Sequence, residues 1–190
     1  MKKIGIILSI CAIFLLTACG GSKIEGALNY EVEPFTFTNQ DGNAFSLEDL
    51  KGKVWVADFI FTNCETVCPP MTAHMTQLQK KAEEAGVDVE FVSFSVDPEV
   101  DTPEKLKDFA SNYDLSFDNW HFLTGYSQKE IEDFAMSSFK TIVQKPKNND
   151  QVIHGTTFFL VDQEGMVLKY YSGIENTPYD EIIQDIKTIQ

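Results

Sequence analysis

The sequence predicts an α/β domain with helices on both faces of a central mixed sheet and a β-hairpin ahead of it. Three observations carry this. Val54 to Phe61 is nearly continuous apolar, the pattern of a central strand covered on both faces. From Met71, apolar residues recur at 71, 75, 78, 82 and 85 with helical spacing, and Gly86 ends the run. Further strand-like and helix-like segments then alternate, closing with an antiparallel hairpin and a last helix.

The elements follow in order. Phe35-Thr36-Phe37 and Phe45-Ser46-Leu47 flank Asn39-Gln40-Asp41-Gly42 and read as a small hairpin, with Asp-Gly supplying the turn. After the first strand and helix, Val87 to Val96 is a second strand, alternating at Val92, Phe94 and Val96. Thr102-Pro103-Glu104 opens a helix carrying Leu106, Phe109, Ala110 and Tyr113, since proline is tolerated at the first helical position. Trp120 to Leu123 is a short strand. Ser127 and Glu130 form a capping box ahead of Ile131, Phe134, Ala135 and Phe139. Lys140 to Gln151 is polar and is expected to be a mobile excursion. Thr157–Val161 and Met166–Tyr171 pair across Asp162-Gln163-Glu164-Gly165, and Thr177-Pro178 starts a final helix with Ile182, Ile183, Ile186 and Ile189. This succession resembles a thioredoxin fold with an N-terminal β-hairpin and an insertion over residues 97–120.

At 190 residues, 43% hydrophobic, the chain is long enough for one domain with a sizeable core. All 15 basic residues are lysine, which excludes any mechanism needing a guanidinium fork. The N-terminus has a positive head, Met1-Lys2-Lys3, and an apolar stretch from Ile4 to Leu16. That is the form of a secretory signal, whereas a spanning helix needs about 20 apolar residues. Leu16-Thr17-Ala18-Cys19 resembles a bacterial lipobox, which implies cleavage after residue 18 and a lipid on Cys19. Residues 19–31 then read as a tether and 32–190 as the domain, lipid-anchored on the extracytoplasmic face of the cell membrane. Loss of Lys2 and Lys3 takes the formal charge from -14 to -16. Nucleic acid and anionic lipid surfaces are therefore poor partners.

This processing removes Cys11 and commits Cys19 to lipid, leaving Cys64 and Cys68 in Thr62-Asn63-Cys64-Glu65-Thr66-Val67-Cys68-Pro69-Pro70. Proline lacks the N–H a helix interior needs, so Pro69 and Pro70 keep the helix from starting much before Val67. Cys64 falls in the loop and Cys68 in the first turn, where unpaired N–H groups favour thiolate, and both sulfurs are expected to ionise readily. A structural disulfide closing so small a ring is worth only about 2 kcal/mol. Two chemistries remain, thiol/disulfide exchange and binding of a soft metal. Thioredoxin-like reductases usually carry two residues between their cysteines. The three here widen the loop toward a chelate's bite without forbidding a disulfide, so spacing alone does not decide.

The segment Gly155-Thr156-Thr157-Phe158-Phe159-Leu160-Val161-Asp162 resembles the thioredoxin-like stretch whose cis-proline packs beside the redox cysteines, with Gly155 in the proline's place. His154 would then face the two sulfurs, and two thiolates with an imidazole suit copper. His74 and His121 read as structural, and Met71 and Met75 as core packing rather than sulfur donors.

Thr62-Asn63-Cys64-Glu65-Thr66-Val67-Cys68-Pro69, Asp97-Pro98-Glu99-Val100-Asp101-Thr102-Pro103 and His154, in that order, resemble the Sco (SenC) proteins from about Val32 to Ile189. The resemblance implies a membrane-tethered copper-binding protein that helps assemble the binuclear copper centre of cytochrome c oxidase subunit II, with Cys64, Cys68 and His154 as copper ligands. A monomer is expected. Gly155 and the residues just before His154 depart from the family's frequent acidic-aromatic pattern.

Two carboxylates lie nearby. Asp58, six residues before Cys64, resembles the buried thioredoxin aspartate that relays protons, because a desolvated carboxyl has a raised pKa and accepts a thiol proton. A carboxylate satisfied by hydrogen bonds is the plainer reading. Asp97 ends the second strand, at the edge where α/β sheets place their sites, and is placed to orient His154 or the copper loop. Its plainer reading is a turn residue ahead of Pro98. The alternative function is a thiol-disulfide oxidoreductase that keeps the oxidase's copper-site cysteines reduced. A peroxidase of the peroxiredoxin type fits poorly, since Phe61 stands where its motif has threonine and its arginine is absent.

Overall fold

Strand β4 (Trp55–Ile60), buried at all six residues, organises the molecule. The structure is a computed structural model that describes residues 24–190. The signal peptide read over 1–18 and Cys19 lie outside the described residues. On one side of β4 run β5 (Glu90–Ser95) and β6 (Trp120–Thr124), all parallel, with Asp58 opposite Ser93 and Phe94 opposite Leu123. On its other side β9 (Thr157–Val161) is antiparallel to β4, with Val56 opposite Leu160, and β10 (Met166–Ser172) is antiparallel to β9. The predicted hairpin, β2 (Thr36–Asn39) and β3 (Ala44–Ser46), extends the sheet beyond β6. The mixed α/β fold is borne out.

Parallel neighbours need crossovers, and helices supply them. Helix α1 (Cys68–Ala85) joins β4 to β5, and α2 (Pro103–Ala110) lies between β5 and β6. Helix α3 (Gln128–Phe139) opens with the capping box: Ser127 N–H donates to Glu130 Oε2 at 2.7 Å and Glu130 N–H to Ser127 Oγ at 3.3 Å. Helix α4 (Tyr179–Ile189) packs against α1. Gly86 ends α1 with φ 64°, a conformation that glycine adopts at no steric cost.

Strand alternation divides the core. One face presents Trp55, Phe59 and Phe94, and α3 covers it with Phe134 and Phe139: Phe59 stacks on Phe94 at 5.5 Å, and Phe139 meets Trp55, Phe59 and Phe159. The other face carries Asp58, Phe91, Ser93, Trp120 and Phe122 beneath α1 and α4. Met71, Met75 and Leu78 of α1 are fully buried there, so the methionines serve packing as read. No helix of the described residues is long and apolar enough to cross a membrane.

Two segments differ from expectation. The tether read over 19–31 is part of the domain from Ile24 onward. Ile24 is 7% exposed, Leu28 N–H donates to Leu168 O, and β1 (Tyr30–Glu31) adds an edge strand to β10. The polar stretch Lys140–Gln151, read as a mobile excursion, is tied down. It contains β7 (Val143–Gln144), which pairs with β8 (Ile153–His154), and Val143 and Val152 are buried.

Phe94 meets five aromatic neighbours at the centre of its face, Phe35, Phe37, Phe59, Phe134 and Phe139. Phe94→Ala is expected to cost about 3–5 kcal/mol. Urea unfolding measures this, and a loss under about 1 kcal/mol would contradict the packing described.

Candidate metal centre

Sheet polarity brings the site together. Because β9 is antiparallel to β4, the loop leaving β4 and the residues entering β9 meet at one edge of the sheet. Cys64 lies in that loop, Cys68 is the first residue of α1, and His154 closes β8 just ahead of β9. Cys68 Sγ is 3.4 Å from His154 Nε2 across 86 residues of sequence. One ligand atom from each of Cys64, Cys68 and His154 lies within 4.8 Å of the others, and among the described residues this is the one such group of three.

Each side chain is held by identifiable contacts. Val67 precedes the helix as its cap, and Pro69 and Pro70 sit in the first turn, so Cys68 N–H is free to donate to Cys64 Sγ at 3.3 Å. Asp101, 1% exposed, shapes the approach to Cys64. It accepts from Thr62 Oγ1 at 2.6 Å, from Thr62 N–H and from Ser95 Oγ at 2.6 Å. His154 Nδ1 lies 2.9 Å from Gly155 O, an acceptor only, so Nδ1 carries the proton and Nε2 turns its lone pair to the sulfurs. The Phe61 ring packs edge-on to the imidazole at 5.6 Å. Gly155 lets this turn approach Thr141, whose Oγ1 would lie 2.8 Å from an added Cβ.

The two sulfurs are unequal, which corrects the expectation that both ionise readily. The Cys68 thiol donates to Cys64 and holds its sulfur as thiolate, well below the usual thiol range. Cys68 is pushed up for the complementary reason: its proton is held against the Cys64 sulfur, and burial adds to this. A helix N-terminus favours thiolate, but a single proton shared by two buried sulfurs prefers the more enclosed one. Cys64 is 8% exposed and Cys68 0%.

Asp58 is fully buried, and neither carboxyl oxygen has a hydrogen-bond partner. The satisfied-carboxylate reading therefore does not describe this residue. Burial pushes its pKa up to about 7. Ser93, opposite it in β5, accepts from Trp120 Nε1 and lies outside hydrogen-bonding geometry to the carboxyl. Asp97 does not touch His154. Its carboxylate accepts from Lys145 Nζ at 2.6 Å, and its backbone oxygen accepts from Val100 and Asp101 N–H. His121 contacts Glu90 at 3.0 Å and stacks on Phe45, and His74 contacts the Tyr179 hydroxyl, both in structural settings as read.

The family model described as SCO1/SenC matches residues 25–190. The chain belongs to the SCO1/SenC family. It is similar to a solved SCO1/SenC family lipoprotein of Bacillus anthracis (57% identity, TM-score 0.85, covering 87% of this chain and 98% of that one). It is also similar to BsSco, described as a member of the Sco family of cytochrome c oxidase assembly proteins with a disulfide switch (67%, TM-score 0.82, 87% and 96%). A third similar structure is ScoI of Bradyrhizobium japonicum, solved with copper bound (26%, TM-score 0.70, 84% and 99%). This chain thus shares its fold with proteins solved with copper bound.

Phe61, Asp101 and Lys145 support the site although the sequence assigned them no role there. Phe61 and Asp101 adjoin or lie within the quoted motifs and could have been asked what they support. Lys145 carries no local signal, because its partner Asp97 is 48 residues away.

Two outcomes follow from these ionisations. Iodoacetamide at about pH 6 is expected to alkylate Cys64 before Cys68, read by peptide mass mapping, and Cys68 reacting first would overturn the assignment. For Asp58 the folded pKa of about 7 lies above the ordinary 3.8, so the folded state binds the proton more tightly. Stability therefore falls as pH rises from about 4 to about 7 and is level beyond, by up to about 4 kcal/mol. Asp58→Asn is expected to remove that decline in urea unfolding. An unchanged pH profile would show the carboxyl to be ordinary.

Proposed function

We propose that this chain binds copper through Cys64, Cys68 and His154 and passes it to the binuclear copper centre of cytochrome c oxidase subunit II. It would work as a monomer, lipid-anchored by Cys19 on the extracytoplasmic face of the cell membrane. The observation that carries the reading is the convergence of two sulfurs and a free imidazole lone pair at one sheet edge. The donor set fits copper: thiolate sulfur selects Cu(I), and imidazole accommodates either copper state. A closed structural zinc site has four protein ligands, and among the described residues three converge here. The copper-bound ScoI and the oxidase-assembly description of BsSco support the same cargo and destination, and the Bacillus anthracis lipoprotein supports the anchor.

The chain's own residues have definable tasks. Cys64 offers a thiolate, and Cys68 must lose its proton for its sulfur to bind metal, so binding releases a proton. His154 keeps its Nδ1 proton on Gly155 O and presents Nε2. Asp58, buried and close enough for its charge to act on the Cys68 thiol, would accept the departing proton, and Asp97 would act behind the ligands through its ion pair with Lys145.

The ionisation of Cys64 favours a second reading, thiol-disulfide exchange that keeps the oxidase's copper-site cysteines reduced. The Cys64 thiolate would attack a target disulfide and form a mixed disulfide. Cys68, on losing its proton, would then attack Cys64 sulfur, closing the Cys64–Cys68 disulfide and releasing the target as a dithiol.

Titration of the reduced protein with Cu(I) against a competing chelator separates these readings. His154→Ala is expected to weaken binding by about 100-fold or more, beyond the loss typical of a supporting group. Copper affinity unchanged in His154→Ala, with rapid reduction of a target disulfide, would replace delivery by exchange.

A further inference from the structure

We infer that Lys145 is a positioning residue that latches the β7–β8 hairpin to the sheet edge and so sets the place of His154. The inference rests on the copper reading for the meaning of that place, though the latch itself is a matter of geometry.

The hairpin is small. Each strand has two residues, with Val143 opposite His154 and Gln144 opposite Ile153. Paired residues share a face, so Val143 and His154 point inward, and Ile153, on the other face, is 55% exposed. An isolated two-stranded ribbon is marginally stable in water. Something outside it must hold the imidazole against the sulfurs.

Besides the buried side chains of Val143 and Val152, Lys145, directly after β7, provides a charged link. Its Nζ lies 2.6 Å from Asp97 Oδ1 and 3.1 Å from Glu99 Oε2. The Asp97 side chain is 2% exposed and that of Lys145 22%. A carboxylate that deep requires a counter-charge, and removing one partner leaves the other uncompensated. Exposed ion pairs in this protein, such as Lys129–Asp133 on α3, have no such constraint. The backbone continues the attachment, since Lys145 N–H donates to Glu132 Oε1 of α3 at 2.9 Å. In the connection just before β8, Gln151 Nε2 donates to Asn63 O, next to Cys64. The hairpin is thereby pinned to the loop after β5, to α3 and to the cysteine loop. Of these links only Lys145–Asp97 joins opposite charges with one of them buried. Asp97 thus acts on His154 through Lys145 and β7 rather than by touching it.

The test is a double-variant cycle on the full chain, reduced and titrated with Cu(I). Lys145→Met is expected to weaken binding about tenfold. Combined with His154→Ala it should bind no more weakly than His154→Ala alone, because Lys145 acts only through the ligand that His154→Ala removes. Lys145→Arg should restore affinity to within about threefold. Additive losses, or full affinity in Lys145→Met, would overturn the latch. If Lys145→Met does not fold, Asp97→Asn takes its place in the cycle with the same expectations. Amide hydrogen exchange on metal-free protein reads the latch independently of copper. The variant should speed exchange across β7–β8 about tenfold or more and leave β4–β5 unchanged, and equal exchange in both proteins would refute it. Should His154→Ala leave copper affinity intact while exchange still quickens, the copper reading fails and the latch stands.

Discussion

The antiparallel pairing of β9 with β4 is the constraint on which the rest depends. A parallel neighbour would have placed the residues entering β9 at the opposite edge of the sheet from the cysteine loop. With Val56 opposite Leu160, the exit of β4 and the approach to β9 share one edge, and an imidazole and two sulfurs distant in sequence become neighbours. The pairing is secured by burial on both faces rather than by the site itself. The aromatic layer of Phe59, Phe94, Phe139 and Phe159 and the apolar side of α1 would hold the two strands in register whatever chemistry stood at their ends.

The groups brought together there are less comfortable than the core beneath them. A thiolate, a thiol that keeps its proton, a carboxyl without partners and an imidazole with one free nitrogen lie at or beneath a single edge. Each would be costly in isolation, since buried polar groups lose hydration without return. Collectively they form a set that exchanges protons and accepts a soft cation, and the strain falls on groups with function. Asp101, by contrast, is equally enclosed and fully partnered, and its task is to hold the loop before Cys64.

Much of this could be read in the chain, and the remainder has physical reasons for staying hidden. Continuous apolarity marked β4, the prolines after Cys68 marked where α1 begins, and the capping box of Ser127 and Glu130 marked α3, because each signal is local. The two-residue strands β1, β7 and β8 have no periodicity to detect and exist through tertiary pairing. The unequal sulfurs escaped for a related reason, since position at a helix terminus is visible in sequence whereas depth of burial is not. Asp58 was recognisable by its place in an apolar strand, yet its lack of partners is a property of the assembled core. The link between Asp97 and the histidine runs through Lys145, which only the folded chain brings within reach.

The most direct measurement of the whole account is X-ray absorption at the copper edge on the loaded, reduced protein, repeated for His154→Ala. Two sulfur scatterers with one imidazole in the parent, and the sulfurs alone after substitution, would match the centre described. Identical spectra from the two proteins would show that His154 is not a ligand and would contradict the account.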